Sequence, residues 1–142
     1  MQPFKCLYLS YRSLEDWTAC RDILRCNSSF HGRERVDCLL INMKSKYSDD
    51  FTCARLEAIL CCSLRSGETE DVVVVRTFKK SKWKPKTTFK GCYVLEEETQ
   101  PRFVLAKYLT RGAHIVPVFD TQCGRFILND LIDFDMFLHA GN

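Results

Sequence analysis

Lys79 to Lys90 hold six lysines (Lys79, Lys80, Lys82, Lys84, Lys86 and Lys90), no acidic side chain and one tryptophan, Trp83. Ammonium groups at that density cannot be buried, because desolvating an unpaired charge costs too much. The segment is therefore expected to be an exposed arm or hairpin tip with a positive field. Its chemistry is recognition: cations meet phosphates, and a flat indole stacks on a base. The plainer role is a solvated tip whose lysines keep a sheet edge from pairing with other chains. Phe78 and Phe89 flank the run, where packing against each other across a hairpin suits them better than base stacking.

Three further groups have residue types that could do chemistry. His31, Arg33 and Arg35, in FHGRER, place basic groups around a flexible glycine and could hold an anion. The plainer reading is a turn into the next strand, with Arg35 paired to Glu34 or Asp37. Asp130, Asp133 and Asp135 could converge on a divalent cation. Helical spacing, however, puts Asp130 and Asp133 on one face and Asp135 on another, and no EF-hand loop is present. Capping of a helix by Asp130 is the simpler role. Cys123 and His114 flank a turn nine residues apart, but neither lies in a recognisable catalytic signature. The sequence has no GxSxG, P-loop, GxGxxG or HExxH. No catalytic residue, metal ligand or cofactor is assigned.

The nine cysteines (Cys6, Cys20, Cys26, Cys38, Cys53, Cys61, Cys62, Cys92 and Cys123) are odd in number and include no CxxC pair. Structural zinc needs closely spaced ligand pairs, so zinc is not expected. Several cysteines lie inside apolar runs, where a free thiol behaves as a small buried hydrophobe. Met1 to Leu9 lacks the apolar core of a secretory signal, and no run is long enough to span a membrane. Reduced thiols in a nuclear or cytoplasmic, intracellular setting are expected. The net charge is only +3, because acids at Glu96 to Glu98 and at Asp130, Asp133 and Asp135 offset the lysines. The positive charge is thus local, and local asymmetry says more about partners than the total does.

These groups need a scaffold, and 142 residues suit a single domain with a real core. Ser13 and Asp16 look like a helix start, and Leu14, Trp17 and Leu24 keep helical spacing. A helix ending near Cys26 is therefore expected, with residues 1–35 forming an N-terminal helical attachment. From Val36 the pattern becomes extended. Strands are expected at Val36–Ile41, Cys53–Leu64, Asp71–Phe78, Gly91–Leu95, Phe103–Lys107, Ala113–Phe119 and Arg125–Asn129. Four consecutive valines (Val72 to Val75) make the third the strongest. Pro117 argues for an edge or bulge. Asp130 to His139 is expected to close as a helical turn with Leu131, Phe134, Phe137 and Leu138 inward. The expected fold is mainly β: a small antiparallel barrel or sandwich of about six strands over residues 36–142, with one N-terminal helix.

Four stretches occur in order: CNSSFHGRERVDCLLIN (Cys26 to Asn42), FTCARLEAIL (Phe51 to Leu60), RGAHIVPVFD (Arg111 to Asp120) and GRFILNDLIDFDMFL (Gly124 to Leu138). Together they resemble the β-rich C-terminal module of fungal transposon-encoded proteins of the Plavaka and Kyakuja–Dileera–Zisupton kind. The resemblance implies a module that follows a transposase-like region. The DDE-type catalytic part has no counterpart here, and the lysine segment is not part of the family pattern. A weaker likeness is to the bromo-adjacent homology fold, which implies a reader of chromatin or partner proteins. On these grounds the expected function is non-enzymatic. The module would contact DNA or RNA, or a chromatin-associated protein, through the lysine arm; the alternative is a protein-interaction or structural module whose arm only maintains solubility.

Overall fold

The computed structural model describes residues 2–42, 51–82, 93–118 and 124–140, and only the backbone of Ser28, Phe30, Arg33 and Glu34. Among the described residues there are eleven strands: β1 (Gln2–Phe4), β2 (Cys6–Arg12), β3 (Ala19–Phe30), β4 (Arg33–Val36), β5 (Cys38–Ile41), β6 (Thr52–Ser63), β7 (Thr69–Lys80), β8 (Val94–Leu105), β9 (Leu109–Ala113), β10 (Ile115–Pro117) and β11 (Arg125–Leu128). A 3₁₀ turn at Ala106–Tyr108 joins β8 to β9, and helix α1 (Phe134–Ala140) follows β11.

The main sheet runs β10-β11-β8-β7-β6-β5-β9, with β1 also paired to β6, and β2-β3-β4 form a second sheet. Neighbouring strands are antiparallel throughout. The two ends of the main order, β9 and β10, are consecutive in the chain and separated only by His114. One bent strand thus serves both edges, so the sheet must curl until they meet, giving a nearly closed barrel. Pro117 lies near the end of this closure, exposed and opposite Phe126, where a missing N–H breaks no interior ladder.

Alternation along β5 shows where the core sits. Leu39 and Ile41 point into one apolar cluster with Leu56, Val73 and Val75, and Leu40 points into another with Phe78, Leu128 and Met136. All three β5 side chains have no solvent exposure. Leu9 and Leu24, from the β2–β3 hairpin, belong to the first cluster, and Met136 and Ala140, from α1, belong to the second.

Three expectations need correction. Among the described residues the strands number eleven, not about six. Part of the difference is that Val36–Ile41 divides at Asp37 into β4 and β5, which belong to different sheets. By contrast, Val94–Leu95 and Phe103–Leu105, from two separately expected strands, belong to one strand, β8. Its register shifts between Arg76↔Pro101 and Phe78↔Glu97, leaving more residues on β8 than on β7. That irregularity over Glu98 to Gln100 hid the continuity.

The N-terminal helix is a β-hairpin instead. Its start signals are real but build a single turn. The Trp17 N–H donates to the Ser13 carbonyl at 3.1 Å, Ser13 Oγ accepts from the Glu15 N–H, and Asp16 accepts from the Thr18 N–H. Trp17 then takes φ 61°, a left-handed geometry that ends a helical turn, and the chain reverses into β3. Leu7 and Leu9 pair across to Leu24 and Asp22, and burial of Leu9 and Leu24 overrides the helical spacing.

The C-terminal helix forms, but with another face inward. Asp135, Met136 and Ala140 are buried, whereas Leu131, Phe134 and Phe137 are exposed. Its cap is Asp133 rather than Asp130: Asp133 Oδ1 accepts from the Met136 N–H at 2.7 Å.

Candidate nucleic-acid interface and the buried arginine cluster

β7 and β8 position the described part of the lysine segment. Lys79 stands opposite Glu96 and Lys80 opposite Leu95, and the Ser81 N–H donates to the Val94 carbonyl at 2.8 Å. Lys79, Lys80 and Lys82 are exposed at this end of the ladder. Lys79 Nζ lies 3.9 Å from Glu96 Oε2, with both side chains well solvated, so the interaction contributes little. Lys80 Nζ sits 4.8 Å from the centre of the Tyr93 ring, a cation–π contact. Trp83, Lys84, Lys86, Phe89 and Lys90 lie outside the described residues. The Phe78 ring packs edge-on against Phe126 at 5.2 Å.

The acidic run facing the lysines is largely engaged by the barrel. Glu97 Oε1 lies 2.7 Å from Arg55 Nε, and Glu98 accepts from Thr77 Oγ1 and pairs with Arg102 at 3.3 Å. Glu96 accepts from Ser81 Oγ at 2.6 Å.

His31 and Gly32 form the turn between β3 and β4, with φ of 50° and 77°. Two left-handed residues in a two-residue hairpin loop are the geometry for which glycine is selected. Arg35 Nε lies 3.6 Å from Asp37 Oδ1, so the plainer reading of this segment holds for Arg35. The side chain of Arg33 lies outside the described part of the chain.

Among the described residues a polar cluster forms around Arg111, to which the sequence reading assigned no role. Its guanidinium donates to both Asp133 oxygens at 3.0 and 2.8 Å and to Asp135 Oδ2 at 2.5 Å. Its Nε donates to the Gly112 carbonyl at 3.2 Å, and the Tyr11 ring lies 5.2 Å from the guanidinium carbon. Asp135 also accepts from the Leu14 N–H, and Asp22 Oδ2 accepts from the Gly112 N–H at 2.7 Å. The cluster therefore fastens β9, α1 and the β2–β3 hairpin together. Asp133 and Asp135 converge on a guanidinium, which corrects the expectation that Asp135 points elsewhere.

Burial acts to lower the Arg111 pKa, but the hydrogen bonds it donates to the two carboxylates outweigh it and hold the guanidinium charged. The bond from Arg111 keeps the Asp133 carboxyl below its ordinary value, despite partial desolvation. Burial pushes the Tyr11 hydroxyl up to about 12, against the pull of Arg111. Burial also lowers the His139 pKa. His139 Nε2 is 3.5 Å from Asp135 Oδ2 and makes no hydrogen bond. With every close group in place for support, the cluster reads as an internal clamp.

His114 Nδ1 lies 3.0 Å from the Asn129 amide nitrogen, and Cys123 is outside the described residues. Cys6, Cys20, Cys38, Cys53, Cys61 and Cys62 are free thiols, and Cys26 Sγ donates to the Glu57 carbonyl at 3.0 Å. Burial pushes the Cys38 thiol up to about 11 and the Cys53 thiol up to about 12, so neither is a thiolate at neutral pH. Among the described residues no His, Cys, Asp and Glu side chains gather as metal ligands, and no helix is long and apolar enough to cross a membrane.

Sequence reasoning missed the surface residues of β2 and β3 because it treated β3 as helix. The signal was present in Cys6–Arg12 (CLYLSYR), where Leu7, Leu9 and Tyr11 alternate with Cys6, Tyr8, Ser10 and Arg12. No protein-family model matches the chain, and no curated protein or solved structure matches it either.

Proposed function

We propose that this chain is a non-enzymatic, transposon-derived module that binds nucleic acid through the lysine-rich connection between β7 and β8. The observation that carries this reading is the exposed, paired end of the β7–β8 hairpin. Lys79, Lys80 and Lys82 stand there, and among the described residues only Lys79 of the three approaches a carboxylate, at a distance of little energetic consequence. Chain order adds Lys84, Lys86, Lys90 and Trp83 to the same connection. The ordered motifs that resemble fungal transposon-encoded proteins support the origin.

The test is a binding titration at 50 and 200 mM salt. Wild type is compared with a variant in which all six lysines are glutamine. On duplex DNA, log K should fall with log salt by about 0.9 per phosphate neutralised. The variant's slope should be shallower by about 0.9 for each phosphate that a lysine of the arm had neutralised. Equal affinities and slopes would discard the arm as the point of contact.

A second reading rests on a separate observation. Leu131, Ile132, Phe134 and Phe137 are all exposed around α1, and the two phenylalanine rings stack at 5.9 Å. Clustered exposed apolar side chains favour a protein-interaction module whose arm serves solubility. Partner binding would then survive the six glutamines and be lost on Phe134→Ser with Phe137→Ser.

A further inference from the structure

We infer that the outer face of the β2–β3 hairpin is a second nucleic-acid site, built for unpaired bases of a single strand. This deepens the nucleic-acid reading and rests on it, but uses residues the lysine arm does not include. The register places Tyr8 opposite Ile23, Ser10 opposite Arg21, Cys6 opposite Arg25 and Arg12 opposite Ala19. Residues directly opposite share a face, and the other face carries Leu7, Leu9 and Leu24 into the core. Arg12, Arg21 and Arg25 therefore share the outward face with Tyr8, which is 62% exposed.

The charge on this face is of one sign. No residue that β2 or β3 contributes to it is acidic: Asp22 points inward and accepts from Gly112. Asp37, at the margin beyond β4, accepts from the Arg25 backbone N–H and lies beside Arg35. Glu15 and Asp16 lie beyond the strands in the hairpin tip, where Asp16 is occupied by Thr18. No ion pair among the described residues engages Arg12, Arg21 or Arg25.

Geometry selects the ligand. Arg21 and Arg25 are four residues apart on one strand, about 13 Å at the usual strand rise. That is roughly the rise of four stacked nucleotides along one strand. An exposed ring among guanidinium groups on a sheet surface offers a stacking platform with phosphate contacts around it. In a duplex the base faces are already covered by their neighbours, so Tyr8 would gain nothing there. Trp17, 66% exposed at the hairpin tip and turned out by its left-handed backbone, offers a second ring on the strand's path.

The experiment is fluorescence anisotropy at 50 mM salt with a labelled single-stranded 12-mer and the matching duplex. Five proteins are compared: wild type, Tyr8→Ala, Tyr8→Phe, Arg12→Gln/Arg21→Gln/Arg25→Gln, and the six-glutamine arm variant. Circular dichroism confirms that each is folded. Tyr8→Ala should weaken single-strand binding roughly tenfold, within the five- to 150-fold span of a lost base–ring stack, and leave duplex binding unchanged. Tyr8→Phe, which keeps the ring, should bind as wild type. The arginine variant should lose single-strand affinity and salt dependence together. Single-strand binding that falls with the arm variant but not with Tyr8→Ala or the arginine variant would overturn the face and leave the arm standing. The reverse pattern would overturn the arm and uphold the face. Wild type that binds neither probe would overturn both.

Discussion

Replacing Arg111 by methionine should cost this fold a large part of its stability. The Arg111 and Asp135 side chains are each only 8% exposed, and their closest approach is 2.5 Å. Truncating the cation leaves Asp135 buried with one hydrogen bond, from the Leu14 N–H, and the His139 ring 3.5 Å away. Breaking a buried pair from one side typically costs about 3–5 kcal/mol. Asp133 adds little, because its side chain is 42% exposed and water takes over its charge. A domain has roughly 5–15 kcal/mol in all, so the variant should sit near the edge of folding. With a urea slope of about 2 kcal/mol per molar, the midpoint should fall by about 1.5–2.5 M, read by tryptophan fluorescence and circular dichroism together. Arg111→Lys keeps the charge and loses the planar fork, so it should fall between wild type and methionine. Asp135→Asn combined with Arg111→Met should cost less than the two separate losses added together, because the orphaned charge is gone. A midpoint loss below about 0.5 M for Arg111→Met, or additive losses in the double variant, would mean the cluster is hydrated and clamps nothing.

Stability should also rise with pH across two windows. Folded His139 and folded Asp133 both bind protons less readily than their unfolded counterparts, whose ordinary values are 6.5 and 3.8. The His139 contribution is complete above its ordinary value and declines as pH falls from there toward its lower folded value. The Asp133 contribution declines further down, as pH falls from its ordinary value through the folded one. Urea midpoints at pH 7.5, 5.5 and 3.5 should decrease in that order, and His139→Gln should flatten the upper interval; equal midpoints at 7.5 and 5.5 would contradict the burial argument. Iodoacetamide at pH 7.5, followed by mass spectrometry, should label exposed Cys6 readily and leave Cys38 and Cys53 largely unmodified while the protein is folded. Labelling of Cys53 at the rate of Cys6 would show that this wall of the core opens freely.

Local chemistry alone determined much of the β content. Four valines in a row and the Ser66–Gly67 turn each specify extended chain or reversal without outside help, whereas the alternation from Ala54 breaks at a bulge between Leu56 and Ala58, beyond which Ile59 is the buried residue. Gly67 indeed takes φ 86° at that turn. The exposure of Lys79, Lys80 and Lys82 was legible for the same reason, since desolvation forbids anything else. What tertiary structure decided is everything that depends on a partner distant in the chain. Ser13 and Asp16 carried honest helix-start signals, but burial of Leu9 and Leu24 against the barrel outweighed them after one turn. The inward face of α1 was set by Arg111, more than 20 residues away, which draws Asp135 inward and turns Phe134 and Phe137 out. The arginine-rich face of the hairpin exists only because β2 and β3 pair. Strand alternation and pairing bring Arg12 onto the same side as Arg21 and Arg25, whereas a helix starting at Ser13 would have kept Arg21 and Arg25 together and left Arg12 outside it.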